Sequence, residues 1–298
     1  MLRVKDPIQS VKYYTSNFGM KLLAKYDFPD SKFSLYFLAN LRNQSYDLDP
    51  SSKEAEQFLW NFDGTVLELT HNHGTETDES FSYNSGNEEP YRGFGHIAFH
   101  CEDLEKSCEE LEAAGVKFKK KPNEGRMSGL AFVYDPDGYW IEIIPREKTD
   151  YSGYNLAQTM LRVKDPQKTL GFYRDILGME MLKERHFESA KFSLFFMASQ
   201  RKNGEDSDKN IKTLFHPTLE LTHNHGTESD DAFSYHNGNE EPKGFGHTGF
   251  LVDDLDAACK YLEDNNVPFI KKPSEGKMRG IAFVKDPDGY WVEIIQRG

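Results

Sequence analysis

Met1-Leu2-Arg3-Val4-Lys5-Asp6-Pro7 returns as Met160-Leu161-Arg162-Val163-Lys164-Asp165-Pro166, with every residue kept. Leu67-Glu68-Leu69-Thr70-His71-Asn72-His73-Gly74-Thr75-Glu76 returns unchanged at 219–228. Gly93-Phe94-Gly95-His96 returns as Gly244-Phe245-Gly246-His247, and Asp135-Pro136-Asp137-Gly138-Tyr139-Trp140 as Asp286-Pro287-Asp288-Gly289-Tyr290-Trp291. A period of about 150 residues is one domain length, so this is a duplicated domain and not a solenoid. The polar stretch 146–154 lacks apolar periodicity and reads as a linker. The expected division is a first domain at 1–146, a linker at 147–154 and a second domain at 155–298.

Each half divides again. Asp6 suits a helix N-cap and Pro7 the first helical position. Ile8, Val11 and Tyr14-Thr15 follow at helical spacing, and Gly19 sits where a helix stop belongs. Strand-like runs come next at 21–26, 33–39 and 66–70. The order then repeats. A strand at 95–99 precedes a helix capped by Asp103, carrying Leu104, Cys108 and Leu111 and stopped by Gly115. Strands follow at 116–120, 130–134 and 139–144, the last two joined by an Asp137-Gly138 turn. The predicted fold is α+β, with a strand-helix-strand-strand-strand module occurring four times in two tandem domains. The stretch 40–62 and its counterpart 199–216 are longer than hairpin connections and read as functional or flexible loops.

Composition excludes several functions. The 298 residues suffice for two cores. The mean hydropathy is −0.71, and no apolar run approaches the roughly 20 residues that cross a bilayer. The first residues carry no apolar leader, and the three cysteines are too scattered for a disulfide framework, so the reading is of reduced thiols in a cytoplasmic protein. A net charge of −13 argues against nucleic-acid binding. Any anion site must therefore be built from locally clustered Arg and Lys.

Glu68 and Glu142, with their counterparts Glu220 and Glu293, fall inside apolar strand runs. A carboxylate there is costly unless it is paired, protonated or metal-bound. One such Glu is more often an edge-strand residue facing solvent. Four at equivalent places of a repeat, with His96 and His247 at strand starts, point instead to carboxylate-imidazole sites for zinc or another borderline divalent metal. His71 and His73 alternate along a strand and could chelate, but they read rather as flanking a loop mouth. Asp135-Pro136-Asp137-Gly138 lacks the other ligands of a calcium loop and reads as a turn. Neither a phosphate loop nor a nucleophile elbow is present.

The motifs LRVKDP, KFSL, LELTHN-GTE, GNEEP, GFGH, KKP-EG and DPDGYW-EI occur in both halves. Through them the chain resembles, over essentially its whole length, the duplicated single-chain eukaryotic glyoxalase I (lactoylglutathione lyase) family of the vicinal oxygen chelate superfamily. The resemblance implies βαβββ modules pairing into cupped sheets. It implies Zn²⁺ rather than Ni²⁺, since the insertion between Ala39 and Val66 is like that of the zinc-type enzymes, and glutathione as co-substrate. The implied reaction isomerises the hemithioacetal of methylglyoxal and glutathione to S-lactoylglutathione through an enediolate. One implied metal site takes Gln158 and Glu220 from the third module with His96 and Glu142 from the second. Its glutathione contacts are Arg162, Asn224, Arg92, Lys120, Arg126 and Met127. The other pairs the first and fourth modules: Glu68, His247 and Glu293, with Arg3, Asn72, Lys243, Lys271, Lys277 and Met278 around the ligand. The position matching Gln158 falls before Met1, so the resemblance implies three protein ligands at most, with a crippled site, a water in the gap or a longer native chain as the alternatives, and Lys243 stands where Arg92 has its fork. Glu142 and Glu293 are the implied catalytic bases, and a fused chain is expected to be a monomer.

Two other classes compete. Ring-cleaving dioxygenases of the same superfamily use a His-His-Glu iron site, but Gln158 stands where they need His. Antibiotic-sequestering members need no metal ligands, so the matched Glu and His residues argue against a pure binding protein. A metal- or glutathione-binding protein with one degenerate, non-catalytic site is the remaining alternative.

Overall fold

The computed structural model describes residues 1–125, 128–199, 210–276 and 279–298. Arg126, Met127, Lys277 and Met278 lie outside the described residues, as does 200–209 of the second long connection. Four modules share one element order. The first is β1 (Leu2–Val4), α1 (Pro7–Phe18), β2 (Lys21–Phe28), β3 (Phe33–Ala39), then α2 (Lys53–Asn61) and β4 (Leu67–Asn72). The second is β5 (Phe94–Cys101), α3 (Leu104–Ala113), β6 (Phe118–Lys120), β7 (Ala131–Tyr134) and β8 (Trp140–Pro145). The third is β9 (Asn155–Val163), α4 (Pro166–Leu170) with a wider turn at Gly171–Ile176, β10 (Met179–Phe187), β11 (Phe192–Ser199) and β12 (Thr218–Asn224). The fourth is β13 (His247–Val252), α5 (Leu255–Asp264), β14 (Phe269–Lys271), β15 (Ile281–Lys285) and β16 (Trp291–Gln296).

In every module the first strand pairs parallel with the last, giving the spatial order first-fourth-third-second. The crossover that a parallel pair requires is supplied by the helix and two strands between. β9 and β5 then pair antiparallel, which merges the second and third modules into one eight-stranded sheet across the two halves. β1 meets the fourth module through a bridge from Leu2 to Phe245 and the Gly246 amide donating to the Met1 carbonyl at 3.0 Å. Phe94 and Phe245, equivalent in the repeat, stack on each other with centroids 4.9 Å apart and planes 7° from parallel. The pseudo-twofold axis relating the halves passes between them.

The local signals act as their chemistry requires. The Asp6 carboxylate accepts from the Ile8 and Gln9 amides, and Gly19 closes the helix at φ 61°. The buried stripe of α1 is Pro7, Ser10, Tyr14 and Phe18, and Ile8 is 80% exposed, so the apolar spacing places the helix but misassigns that residue. Ser10 takes the inner position because its hydroxyl donates to Asp137 at 3.2 Å. The stretch 40–62, read as a loop, contains α2, started by Ser52 accepting from the Ala55 amide. The linker reading at 147–154 falls on chain gathered around Arg146. That guanidinium donates to Thr149 and to the carbonyls of Tyr151 and Gly153, and it pairs with Glu102 at 2.8 Å.

The Asp-Pro-Asp-Gly turns join modules within each half. Asp137 accepts from the Lys5 amide at 2.8 Å and Asp288 from the Lys164 amide at 2.6 Å. The inner carboxylates, Asp135 and Asp286, each accept a buried tyrosine hydroxyl, Tyr14 at 2.8 Å and Tyr173 at 3.0 Å. Burial, reinforced by the neighbouring Asp137 and Asp288, pushes Asp135 up to about 7 and Asp286 up to about 8. Each therefore favours the folded state fully below the ordinary aspartate value of 3.8 and loses that contribution as the pH rises through its folded value. Asp135→Asn, neutral at every pH, should flatten the fall in stability of the protein between about pH 4 and 7. Urea unfolding midpoints across that range measure it, and an unchanged slope would contradict the assignment.

Candidate metal centres

Strand alternation builds the two centres. On β8, Ile141 and Ile143 are fully buried on one face, which turns Glu142 to the other. The ladder places Ala98 opposite Glu142 and Gln158 opposite Ala98 and Thr218, so Gln158 on β9 lies where the two halves meet. His96, Glu142 and Glu220 each offer one ligand atom within 4.8 Å of the others, and all three are buried. The Gln158 amide sits among them, its Nε2 at 2.9 Å from Glu142 Oε2, 2.6 Å from Glu220 Oε2 and 3.5 Å from His96 Nε2. His96 Nε2 is 3.2 Å from Glu142 and 3.6 Å from Glu220. The four ligands carried over from the resemblance therefore converge at one point, two from each half.

Glu68, His247 and Glu293 form the second group under the same distance limit. His247 Nε2 lies 3.3 Å from Glu68 and 3.1 Å from Glu293. This group opens onto a cleft of about 800 Å³ into which α2 and the turn after it send Trp60 and Phe62. In both centres a hydroxyl two residues along the strand steadies a carboxylate: Thr70 donates to Glu68 at 3.3 Å and Thr222 to Glu220 at 3.4 Å. A ring edge packs on each imidazole, Phe132 on His96 and Phe283 on His247, at 5.3 and 5.2 Å. The sequence reading did not single out these four supporting residues. Their signal is available there, as each recurs at a fixed distance from a repeated Glu.

The donor set suits a cation better than it suits itself. Two buried carboxylates beside one imidazole carry excess negative charge, which needs a proton or a metal. Burial pulls the His96 imidazole down, but the hydrogen bonds and charges of Glu142 and Glu220 outweigh it and raise it to about 9. His247 is raised by the same contest with Glu68 and Glu293. Near neutral pH a cation entering the His96 centre must displace that proton. Zinc binding at about pH 7.5 should therefore release on the order of one proton at this centre, and affinity should climb with pH up to about 9. Calorimetry in buffers of different ionisation enthalpy reads the proton count; no buffer dependence would contradict the charge state.

The cationic residues divide into two kinds. Arg92 and Asn224, one from each half, border a small cavity of about 130 Å³ with Tyr235, Phe233 and Thr227. The Asn224 amide is fixed by donating to the Tyr235 hydroxyl at 2.8 Å, as Asn72 is by Tyr83 at 2.9 Å. Arg162 is buried, and its guanidinium is pulled down first by burial and then by the charge of Arg92. Its Nη1 donates to the carbonyls of Gly86, Gly93 and Phe94, and its Nη2 to Asn87. Arg3 makes the matching bonds to Gly238, Gly244, Phe245 and Asn239. Lys243, matching Arg92, pairs with Glu241 at 3.3 Å. Lys120 and Lys271 hold the carbonyls of Leu130 and Ile281 at 2.9 and 3.0 Å. His71 pairs with Glu76 and His73 with Ser34, so these histidines brace the loop rather than chelate together.

Comparison with known proteins agrees with this architecture. The family described as the Glyoxalase/Bleomycin resistance protein/Dioxygenase superfamily matches twice, at residues 1–143 and 155–294. The chain is 47% identical to Glyoxalase I of Saccharomyces cerevisiae, a match covering 100% of this chain and 91% of that one. It is 41% identical to the lactoylglutathione lyase of Schizosaccharomyces pombe, covering 100% and 95%. The crystal structure of glyoxalase I from Zea mays superposes with a TM-score of 0.72 at 27% identity, covering 99% of this chain and 90% of that one. With both halves matched and the fold shared from end to end, the chain belongs to the glyoxalase/bleomycin resistance protein/dioxygenase superfamily.

Proposed function

We propose that the protein is a glyoxalase I: it isomerises the hemithioacetal of methylglyoxal and glutathione to S-lactoylglutathione. The observation that carries this reading is the convergence of Gln158, Glu220, His96 and Glu142 from opposite halves; Arg92 and Asn224, from the same two halves, border one cavity. Oxygen and imidazole donors in that number suit Zn²⁺, with Ni²⁺ second. Such an ion, when bound, supplies the positive charge that lets a C–H beside a carbonyl ionise near neutral pH. Gln158 can turn its amide to present the oxygen.

In this reading Glu142 is the base. Its carboxylate takes the proton from C1 of the hemithioacetal and returns it to C2, while the hydroxyl proton passes between the two oxygens. Glu220 faces it across the centre as a ligand, and Glu293 and Glu68 hold the same relation in the first–fourth centre. Glutathione brings two carboxylates, and the paired charge of Arg92 and Arg162 is the cation cluster an otherwise acidic chain needs to hold one of them. Asn224, Lys120, Arg126 and Met127 complete that ligand site, and Arg3, Asn72, Lys243, Lys271, Lys277 and Met278 the other. Arg92 pairs with Glu89 and Lys243 with Glu241 alike; the lysine lacks the guanidinium fork, which makes the second cradle the weaker of the two. We also read the chain as two domains, 1–146 and 155–298, working as a monomer, because the fusion makes the inter-half interface internally. Three buried free thiols suit the cytoplasm.

The test is zinc content per chain together with lactoylglutathione formation. Zinc bound and thioester formed support the reading; a chain that takes up no zinc and forms no product refutes it. A thiol-independent ring-cleaving activity would favour the dioxygenase branch instead.

A further inference from the structure

We propose that Asn87 and Asn239 are positioning residues that fix the metal-facing imidazoles of His96 and His247. The inference rests on the reading of those histidines as metal ligands. Each histidine follows a Gly-Phe-Gly segment. The first glycine is required by close approach to backbone, whereas the second meets only the movable end of a methionine. A methyl group on Gly93 would run into the His236 carbonyl, and one on Gly95 into the Met160 side chain. The same holds for Gly244 against Asn84 and Gly246 against Met1. Two glycines also put no side-chain restriction on this backbone, immediately before a residue whose ring must be held to within about half an ångström.

The structure counters that freedom carbonyl by carbonyl. Arg162 Nη1 donates to the Gly93 and Phe94 oxygens at 3.3 and 3.0 Å. The next oxygen, on Gly95 and one peptide from His96, accepts from Asn87 Nδ2 at 2.6 Å. Asn87 is itself locked, its Oδ1 accepting from Arg162 Nη2 at 2.8 Å. The fourth module repeats the device. Arg3 Nη1 holds Gly244 and Phe245 at 3.2 and 3.1 Å, and Asn239 holds Gly246 at 2.6 Å while accepting from Arg3 at 2.7 Å. A side-chain amide offers an acceptor for the guanidinium and, on a separate atom, a donor for the carbonyl. The arginine comes from the other half of the chain, so each histidine is aligned only once the halves have docked.

Asn87→Asp separates the two functions of the amide. It keeps the bond to Arg162 and replaces the donor toward Gly95 with a repelling oxygen. In the full chain, zinc affinity is measured by competition with a chromophoric chelator, beside the visible spectrum of the cobalt-loaded protein and the melting temperature without metal. The expected result is a roughly 10–100-fold loss of zinc affinity at one centre only, an altered cobalt spectrum, a lower kcat, and a nearly unchanged metal-free melting temperature. Asn239→Asp should do the same to the other centre, and it carries the test if Asn87→Asp does not fold. Wild-type affinity and spectrum in the folded variant overturn the proposal, as does an equal loss at both centres accompanied by a lower melting temperature. A wild-type chain that binds no zinc overturns the metal reading itself.

Discussion

Changing Glu142 and Glu293 together to glutamine should lower kcat by roughly 10²–10⁴-fold, the range in which a positioned proton-transfer group contributes. Glutamine keeps an oxygen within reach of a cation but cannot take a carbon-bound proton. Each carboxylate is held in a separate centre, 3.2 Å from His96 and 3.1 Å from His247. Either single change should therefore leave the turnover of the untouched centre. The informative comparison is kcat for the two single variants and the double, with metal content measured alongside. A double variant that retains half the activity would remove both residues from the base role. If the single Glu142→Gln variant already abolishes turnover, the first–fourth centre is idle and the second–third centre does the work.

The largest effect on stability is expected from Gly93→Ala. The added methyl has no room against the His236 carbonyl oxygen, a backbone atom that cannot swing aside as a side chain would, and the Tyr290 hydroxyl lies at 3.0 Å. Overpacking of a tight core costs about 1–3 kcal/mol and more where backbone must move. Here the movement would also pull on the Arg162 bonds and on the His236 amide, which donates to the Arg92 carbonyl at 2.8 Å. We expect the variant to lose at least about 3 kcal/mol of stability, read as a shift in urea midpoint at constant slope. Gly138→Ala is the control: its φ is 86° but nothing lies near the added carbon, so only local strain of roughly 1 kcal/mol is expected. Equal losses at the two sites would mean that the crossing of the halves at Gly93 is not tightly packed.

The fold was legible because duplication printed the module order more than once and the caps sit where capping chemistry demands. The centres were legible for a different reason, as a Glu between two aliphatic residues recurs at four equivalent strand positions, which solvent-facing edges alone do not explain. Helix α2 was readable too, within the stretch read as a loop: Ala55, Phe58, Leu59 and Phe62 fall at i, i+3, i+4 and i+7, and Ser52 followed by Glu54 and Glu56 was a usable start signal. Other features stayed hidden. Asp135 looked like an ordinary turn residue because sequence cannot show that Tyr14, from another module, will bury it. Asn87 was visible within a repeated motif, but its role depends on an arginine 75 positions away.

The strand pairing of β5 with β9 has a consequence for how the molecule comes to be. A half made first holds its own helices and Asp-Pro-Asp-Gly turns in place, yet it carries β5 with one hydrogen-bonding edge open. That edge is a template for any complementary strand. Joined by so few residues, the other half reaches it at an effective concentration on the order of millimolar, far above that of another molecule. Lengthening or cutting the joining segment would give up that advantage, and the same edge would then be free to recruit β9 from a second copy, exchanging halves between molecules.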